Sequence, residues 1–273
     1  MGTPRLNLGV RGRLGELRAY RELVWNLTLR DLRLKYKGSS LGVAWSLLNP
    51  LLTMAIYTAV FSLFLRAVKL PHYWALVLGG ILAWTFLANS LTQATVSFVR
   101  NPSLISKVYF PIESLPISMV LANLVNFLIP LFLLVIVLFV AGIHLGASLV
   151  LLPVIVLAQL CLTMGLAMAL ASLTVYFRDV EHFLTLGLQL AFYLTPVLYP
   201  LDPRAIGAGA AKFIPYAELN PLAWYFQSYH AVLYYGTWPD IRFFGPMLAS
   251  SVIALVGGYA IFLRLRDRLP EEV

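Results

Sequence analysis

Between Ser114 and Phe177 the chain runs for 64 residues without one Asp, Glu, Lys or Arg. As a single straight helix, at 1.5 Å per residue, that run would span roughly three times the ~30 Å hydrocarbon core of a bilayer. A water-soluble fold has no place for it, because most of the surface of a folded domain faces water. The run therefore reads as two membrane crossings joined by a turn. The turn is expected at "AGIHLGAS", Ala141 to Ser148, where two glycines and a histidine interrupt the apolar pattern.

The rest of the chain repeats the theme. Uncharged stretches run from Gly38 to Leu65 and from Leu70 to Val99, and further apolar runs cover His182 to Leu201 and Phe243 to Leu263. Only 12% of residues are charged and 60% are hydrophobic, against roughly 25% charged in an average soluble domain. The expected fold is an all-α polytopic membrane protein with six transmembrane helices, over about 41–65, 72–99, 113–140, 149–175, 183–200 and 243–263. They form a membrane domain spanning 38–264, after an N-terminal segment 1–37 and before a tail 265–273.

Six spans put both ends of the chain on one side. With that topology fifteen Lys and Arg residues fall on the terminal side and five on the other, so the positive-inside rule assigns the termini to the cytoplasm. "NPSLISKVYFP" (Asn101 to Pro111) and the turn around Arg178, Asp179 and Glu181 are then cytoplasmic loops. Asn101 suits a helix N-cap, Pro102 a first turn and Pro111 a stop, which predicts about two turns of helix between them. Leu104, Ile105, Val108 and Tyr109 make an apolar patch on that helix, with Lys107 beside it. The patch fits a plug for a cytoplasmic partner, or a loop packed on its own bundle.

Before the first span, Glu16 to Lys37 reads as a basic amphipathic helix lying in the membrane interface among membrane lipids. Between spans five and six, "FIPYAELNPLAWYFQSYHAVLYYGTWPD" is crowded with aromatic residues, and Asn220–Pro221 repeats the cap-then-proline start. It reads as short helices at the outer interface, where Trp and Tyr prefer to sit.

No ionisable Asp, Glu, Lys or Arg falls in mid-span, which argues against a proton relay or an ion pump. The four histidines are scattered, and the lone cysteine, Cys161, lacks a metal-ligand spacing. No G-x-x-x-x-G-K-[ST] is present, so the chain carries no P-loop for ATP. The spans do carry neutral polar and aromatic stripes. Trp45, Asn49, Thr53 and Tyr57 recur at helical spacing on the first, and Thr85, Asn89, Thr92 and Gln93 cluster on the second. Thr185, Gln189, Tyr193 and Tyr199 follow one face of the fifth. Such stripes suit a path for an uncharged, hydroxyl-rich cargo, or helix–helix packing.

"LTLRDLRLKYKGSSLGVAWSLLNPLL", Leu27 to Leu52, together with "NPSLISKVYFP", "YFRDVEHF", "YLTPVLYP" and "NPLAWYFQSYH", resembles the membrane subunit of type-2 ABC exporters. The likeness is to the branch exporting bacterial O-antigen, capsule and teichoic-acid polymers, the Wzm-like permeases. It covers nearly the whole chain from about residue 20 onward. It implies a half-transporter: a homodimer of this chain with two cytoplasmic ABC ATPase subunits in the bacterial inner membrane, moving a lipid-linked glycan. ATP and Mg would sit on the ATPase, with no cofactor in this chain, no catalytic residue and no nucleic-acid partner. Asn101, Pro102, Leu104, Ile105, Lys107, Val108 and Tyr109 would form the coupling helix, with Arg178, Asp179 and Glu181 as a second contact. Trp45, Asn49, Thr53, Tyr57, Asn89, Gln189, Tyr193 and Tyr199 would line the channel, and Trp224, Tyr225 and Tyr229 an outer gate. Rival readings are a drug or lipid exporter of the same architecture, a membrane-embedded enzyme of lipid or glycan processing, and a passive oligomeric channel.

Overall fold

The computed structural model describes residues 20–38, 41–64, 70–101, 111–202 and 212–266. Among them there are helices and turns and no strand. Helix α1 covers Arg21–Tyr36. A tight turn at Gly42–Ala44 leads into α2, Trp45–Thr58, which widens into a π-type stretch over Ala59–Phe64. Helix α3 is Tyr73–Thr95 and α4 is Ser114–Val140. A 3-10 turn, Ala147–Leu151, runs directly into α5, Leu152–Tyr176. Helix α6 is Val180–Leu194 and α7 is the short Ile214–Glu218. Helix α8, Pro221–Tyr229, opens into a π-type stretch over His230–Tyr235, and α9 is Ile241–Leu265.

Among the described residues four segments are long and apolar enough to cross a membrane: Tyr73–Thr95, Ser114–Val140, Ala147–Tyr176 and Ile241–Leu265. Two shorter apolar helices, Trp45–Phe61 and Val180–Leu194, accompany them. The 64-residue uncharged run folds back at the expected turn. Helix α4 stops at Val140, and Gly142 adopts φ +71°, a left-handed conformation that side chains resist. Helix α6 ends at Leu194, short of the predicted limit near residue 200, because Pro196 disfavours helical geometry at Thr195, whose ψ is 141°. Asn220 caps α8 as its sequence suggests, its side-chain oxygen accepting from the Leu222 N–H at 3.0 Å with Pro221 in the first turn.

Helix α3 is the pillar of the bundle. It is enclosed on nearly every side, with Leu76, Leu82, Leu87 and Phe86 fully buried. Helices α4, α5 and α9 keep one face for the protein and show Phe132, Ile136, Leu157, Val252 and Ile253 outward. That division suits helices bathed in lipid, where an apolar outer face carries no penalty. The most extensive seam joins α5 to α9. There Gly165 and Gly258 let the two backbones meet. A Cβ at Gly165 would fall onto the Ala254 carbonyl, and one at Gly258 onto the Gly165 carbonyl. Small residues at a helix crossing allow this close approach, and the dispersion contacts it creates hold membrane helices together.

The helices alternate in direction, and the contacts at the two ends show it. At one end, called here the basic end, Arg100 lies 3.8 Å from Glu181, and Tyr176 donates its hydroxyl hydrogen to the Leu265 carbonyl at 2.7 Å. Helix α1 docks at this end. Its Leu27 joins a cluster with Phe98, Leu115, Met168, Val175 and Phe262. Its other face shows Trp25, 55% exposed, and Leu34. At the far end Tyr73 donates to the Leu198 carbonyl and Tyr234 to the Pro71 carbonyl, both at 2.5 Å.

Candidate functional site

Helix α2 lies over α3 without being absorbed into the core, and a groove opens on each side of it. Near the basic end, Trp45, Ser46, Asn49 and Pro50 of α2 face Thr85, Phe86 and Asn89 of α3 and Asn123, Asn126 and Phe127 of α4, around a cavity of about 270 Å³. Further along, Thr53 and Tyr57 face Trp84 and Thr85 of α3 and Gln189, Phe192 and Tyr193 of α6, around about 340 Å³. Because α2 and α3 run antiparallel, the two grooves are staggered along the bundle and share Thr85 as a common wall.

The residues singled out from helical spacing therefore meet in space. Trp45, Asn49 and Asn89 line the first groove, and Thr53, Tyr57, Gln189 and Tyr193 the second. Tyr199 stands just beyond, its hydroxyl donating to the Tyr193 carbonyl at 3.3 Å. The second groove has an aromatic wall. Tyr57 and Trp84 flank Phe192 with ring centres 5.7 and 5.4 Å away, and Trp84 continues to Phe226 at 6.2 Å. Among the described residues no charged side chain lines either groove. A surface of ring faces, amides and hydroxyls offers apolar contact with neutral hydrogen bonding, and nothing that would hold an ion.

The threonines contribute less than their spacing suggests. Thr53 donates to the Asn49 carbonyl at 2.8 Å, Thr85 to the Ile81 carbonyl at 2.6 Å and Thr92 to the Ala88 carbonyl at 2.8 Å. Each hydroxyl hydrogen goes to its own helix one turn back, as threonine in a helix commonly arranges. Only the lone pairs remain for a visitor.

The aromatic segment after α6 is bonded into the bundle through its rings. Tyr225 and Tyr229 are buried in the interior. The Tyr225 hydroxyl lies 2.6 Å from the Ser251 Oγ and 3.1 Å from the Met247 carbonyl, tying α8 to α9. The Tyr229 hydroxyl donates to Gln159 Oε1 at 2.7 Å, while Gln159 Nε2 donates to the Ala83 carbonyl at 2.8 Å. Trp224, half-buried, donates to the Glu218 carbonyl at 2.8 Å. These side chains fasten α8 to the bundle. Gln159 went unnoticed in the sequence because it is one amide in a uniformly apolar helix, with partners 76 and 70 residues away.

At the basic end, Pro102, Leu104, Ile105, Lys107, Val108 and Tyr109 lie outside the described residues. Asn101 is described. Its amide donates to the Ser97 carbonyl at 2.9 Å, closing the turns that follow α3. Arg178 and Asp179 are exposed, and the Arg100–Glu181 pair brings the start of the first loop beside the second. Two further ties were not apparent from spacing. Glu113, just before α4, pairs with Arg266 at the end of α9 at 3.1 Å, and the Ser118 hydroxyl donates to Asp31 of α1 at 3.2 Å.

A helical bundle with lipid-facing apolar helices, charges gathered at its ends and uncharged grooves along its length defines the class of polytopic membrane proteins. Within that class, the chain belongs to the ABC-2 type transporter family, whose model matches residues 22–234. Among its relatives is the O-antigen export system permease protein RfbA of Myxococcus xanthus, 35% identical over 258 residues, covering 94% of this chain and 98% of that one. The O-antigen export system permease protein RfbA of Klebsiella pneumoniae is 34% identical over 251 residues, 92% of this chain and 94% of that one. A second protein of the same name and organism is 32% identical over the same length.

Proposed function

We propose that this chain is the membrane subunit of an ATP-driven exporter that carries a lipid-linked polysaccharide of O-antigen type across the bacterial inner membrane. Two copies form the channel, and two separate ABC ATPase subunits bind ATP and Mg and supply the work. The observation that carries this reading is the uncharged face of α2, α3 and α6, where aromatic rings stand among amides and hydroxyls. A polymer that must slide needs weak, repeated contacts, and ring faces with neutral polar neighbours supply them. The names of the relatives point to the same cargo.

The spans in this reading number six: the four long helices, α2 with its π-type extension, and α6 with the turns that follow it. The termini are cytoplasmic, by the excess of Lys and Arg at the basic end. Helix α1 rests in the interface with Trp25 toward the lipid heads. Residues 101–111 enter a cleft on the ATPase, with Arg178, Asp179 and Glu181 as a second contact. ATP-driven closure then displaces α3 and α4, which flank that segment, and alters the width of the channel beside α2. Tyr193 and Tyr199 contact the cargo on its way out.

The test is deletion of the chain in its own host, followed by restoration with wild type or with Leu104, Ile105 and Val108 changed to Ser. The deletion is expected to leave lipid-linked polymer inside the cell and none at the surface. Wild type restores surface polymer and co-purifies with the neighbouring ATPase, whereas the triple variant does neither. Surface polymer that persists after deletion overturns the cargo. A triple variant that holds and stimulates the ATPase as wild type does overturns the coupling role.

A further inference from the structure

The two grooves beside α2 are chemically unlike, and the difference assigns them different work. The α6-side groove is an aromatic wall with one amide, Gln189. The α4-side groove concentrates carboxamides: Asn49, Asn89, Asn123 and Asn126 line it together with Ser46. Amides inside apolar spans are costly unless they find partners. Asn123 has them, its Nδ2 donating to Gln93 Oε1 and to the Met119 carbonyl, both at 2.9 Å. The side chains of Asn49 and Asn89, on two different helices, make no hydrogen bond among the described residues and open onto the same cavity. Each offers two N–H donors and a carbonyl acceptor.

Beneath them Phe86 and Phe127 stack with ring centres 5.2 Å apart and planes 14° apart, and Trp45 stands at the margin, 39% exposed. The cavity, about 270 Å³, is at the small end of ligand sites, where occupants are compact molecules. It has room for a single ring against its floor.

We propose that the α2–α3–α4 groove is a binding site for one uncharged, polyhydroxylated ring, held by the Asn49 and Asn89 amides against the aromatic floor. The site recognises, whereas the α6-side groove lets cargo slide. This rests on the reading of the chain as a glycan exporter and names what that exporter grips at its basic end. A neutral sugar of the polymer and the neutral sugar headgroup of a glycolipid share this chemistry. A charged sugar is disfavoured, because among the described residues no cation or anion lines the groove to offset its desolvation.

The experiment is saturation-transfer NMR on the full chain with its ATPase, in nanodiscs of phosphatidylethanolamine and phosphatidylglycerol. The probes are methyl α-D-mannopyranoside, methyl β-D-galactopyranoside and the anionic methyl glucuronide. At least one neutral probe is expected to bind, and the glucuronide not. The double variant Asn49→Ala/Asn89→Ala is expected to weaken binding about tenfold, since each lost neutral hydrogen bond costs a few-fold. Both positions are exposed, so the bundle is left intact. Asn89→Ala alone gives a smaller loss and stands in if the double variant does not assemble. Val137→Ala, on the outward face of α4, leaves binding unchanged.

Equal binding by wild type and variants, equal binding of the glucuronide, or no binding by wild type overturns the proposal. Added glucosyl-diacylglycerol separates the two sources. Competition with the probe supports the site and assigns its ring to a lipid headgroup. Binding without competition supports the site and assigns its ring to the polymer. Export measured in parallel keeps the two readings apart. Export with Asn-independent probe binding sinks the groove alone, and Asn-dependent probe binding without polysaccharide export sinks the exporter reading alone.

Discussion

Neutralising Glu113 should loosen the basic end of the bundle. The Glu113 side chain is 6% exposed and its partner Arg266, 3.1 Å away, 24%. Glu113→Gln leaves the guanidinium facing a neutral amide in a site mostly shielded from water. Breaking a fully buried pair costs about 3–5 kcal/mol, because the survivor keeps its desolvation penalty. The quarter exposure of Arg266 and the further interaction it makes lower that figure to about 1–3 kcal/mol. For a soluble chain of comparable size, each kcal/mol shifts the melting point by roughly 2–4 °C, so the expected drop is roughly 2–12 °C. Tryptophan-fluorescence melting of the purified full-length protein in detergent reads it. The pair is shielded, so raising the salt to ~0.5 M should alter its contribution little, unlike that of the exposed Arg100–Glu181 pair. The cycle of Glu113→Arg, Arg266→Glu and the double exchange completes the experiment. The double exchange should recover at least about 1 kcal/mol of what the two single changes lose together. If Glu113→Gln melts with wild type, or the double exchange is no better than the sum of the singles, the pair does not hold α4 to α9.

Three further outcomes can be checked in the same preparations. Gly165→Val and Gly258→Val should each abolish recovery of monodisperse protein on size exclusion, since the added carbons strike backbone of the facing helix and overpacking costs about 1–3 kcal/mol or more. Gln159→Leu strands the buried Tyr229 hydroxyl and removes the tie from α5 to the Ala83 carbonyl of α3. It should lower thermal stability by about 2 kcal/mol or more, with Tyr229→Phe recovering part of the loss in the double variant. Tyr193→Ser, on a residue 61% exposed, should change stability by less than about 0.5 kcal/mol while slowing export of surface polymer in the restored host.

The four long apolar helices were legible because charge is a sharp boundary marker in this chain. The 64-residue uncharged run has only one plausible place to turn, and it turns there. Local signals held as well, such as the Asn220–Pro221 start of α8, because a cap and the turn it closes are neighbours in sequence. Helical spacing put Trp45 and Asn49 on one face of α2, since residues three and four apart share a face, while their meeting with Asn89 of α3 is a contact between helices. What spacing could not convey was partner choice across the bundle. Glu113 and Arg266 are 153 residues apart, and nothing local links them. The burial of Tyr225 and Tyr229 was not legible either, because an amphipathic ring suits a lipid boundary and a buried hydrogen bond equally well. The Gly165–Gly258 crossing was invisible for a related reason: in a helix apolar all round, a glycine carries no sign of which neighbour it admits.

Helix α6 has no buried residue in the single chain, although it forms one wall of the aromatic groove. Folding free energy is lodged elsewhere, in α3 and in the α5–α9 seam. Substitutions at Gln189 and Tyr193 therefore leave the scaffold untouched while redrawing the groove wall. On the function proposed above, a lineage whose surface polymer changes its sugars need not rebuild its exporter. It can rewrite one wall, a few side chains at a time, and every intermediate still folds.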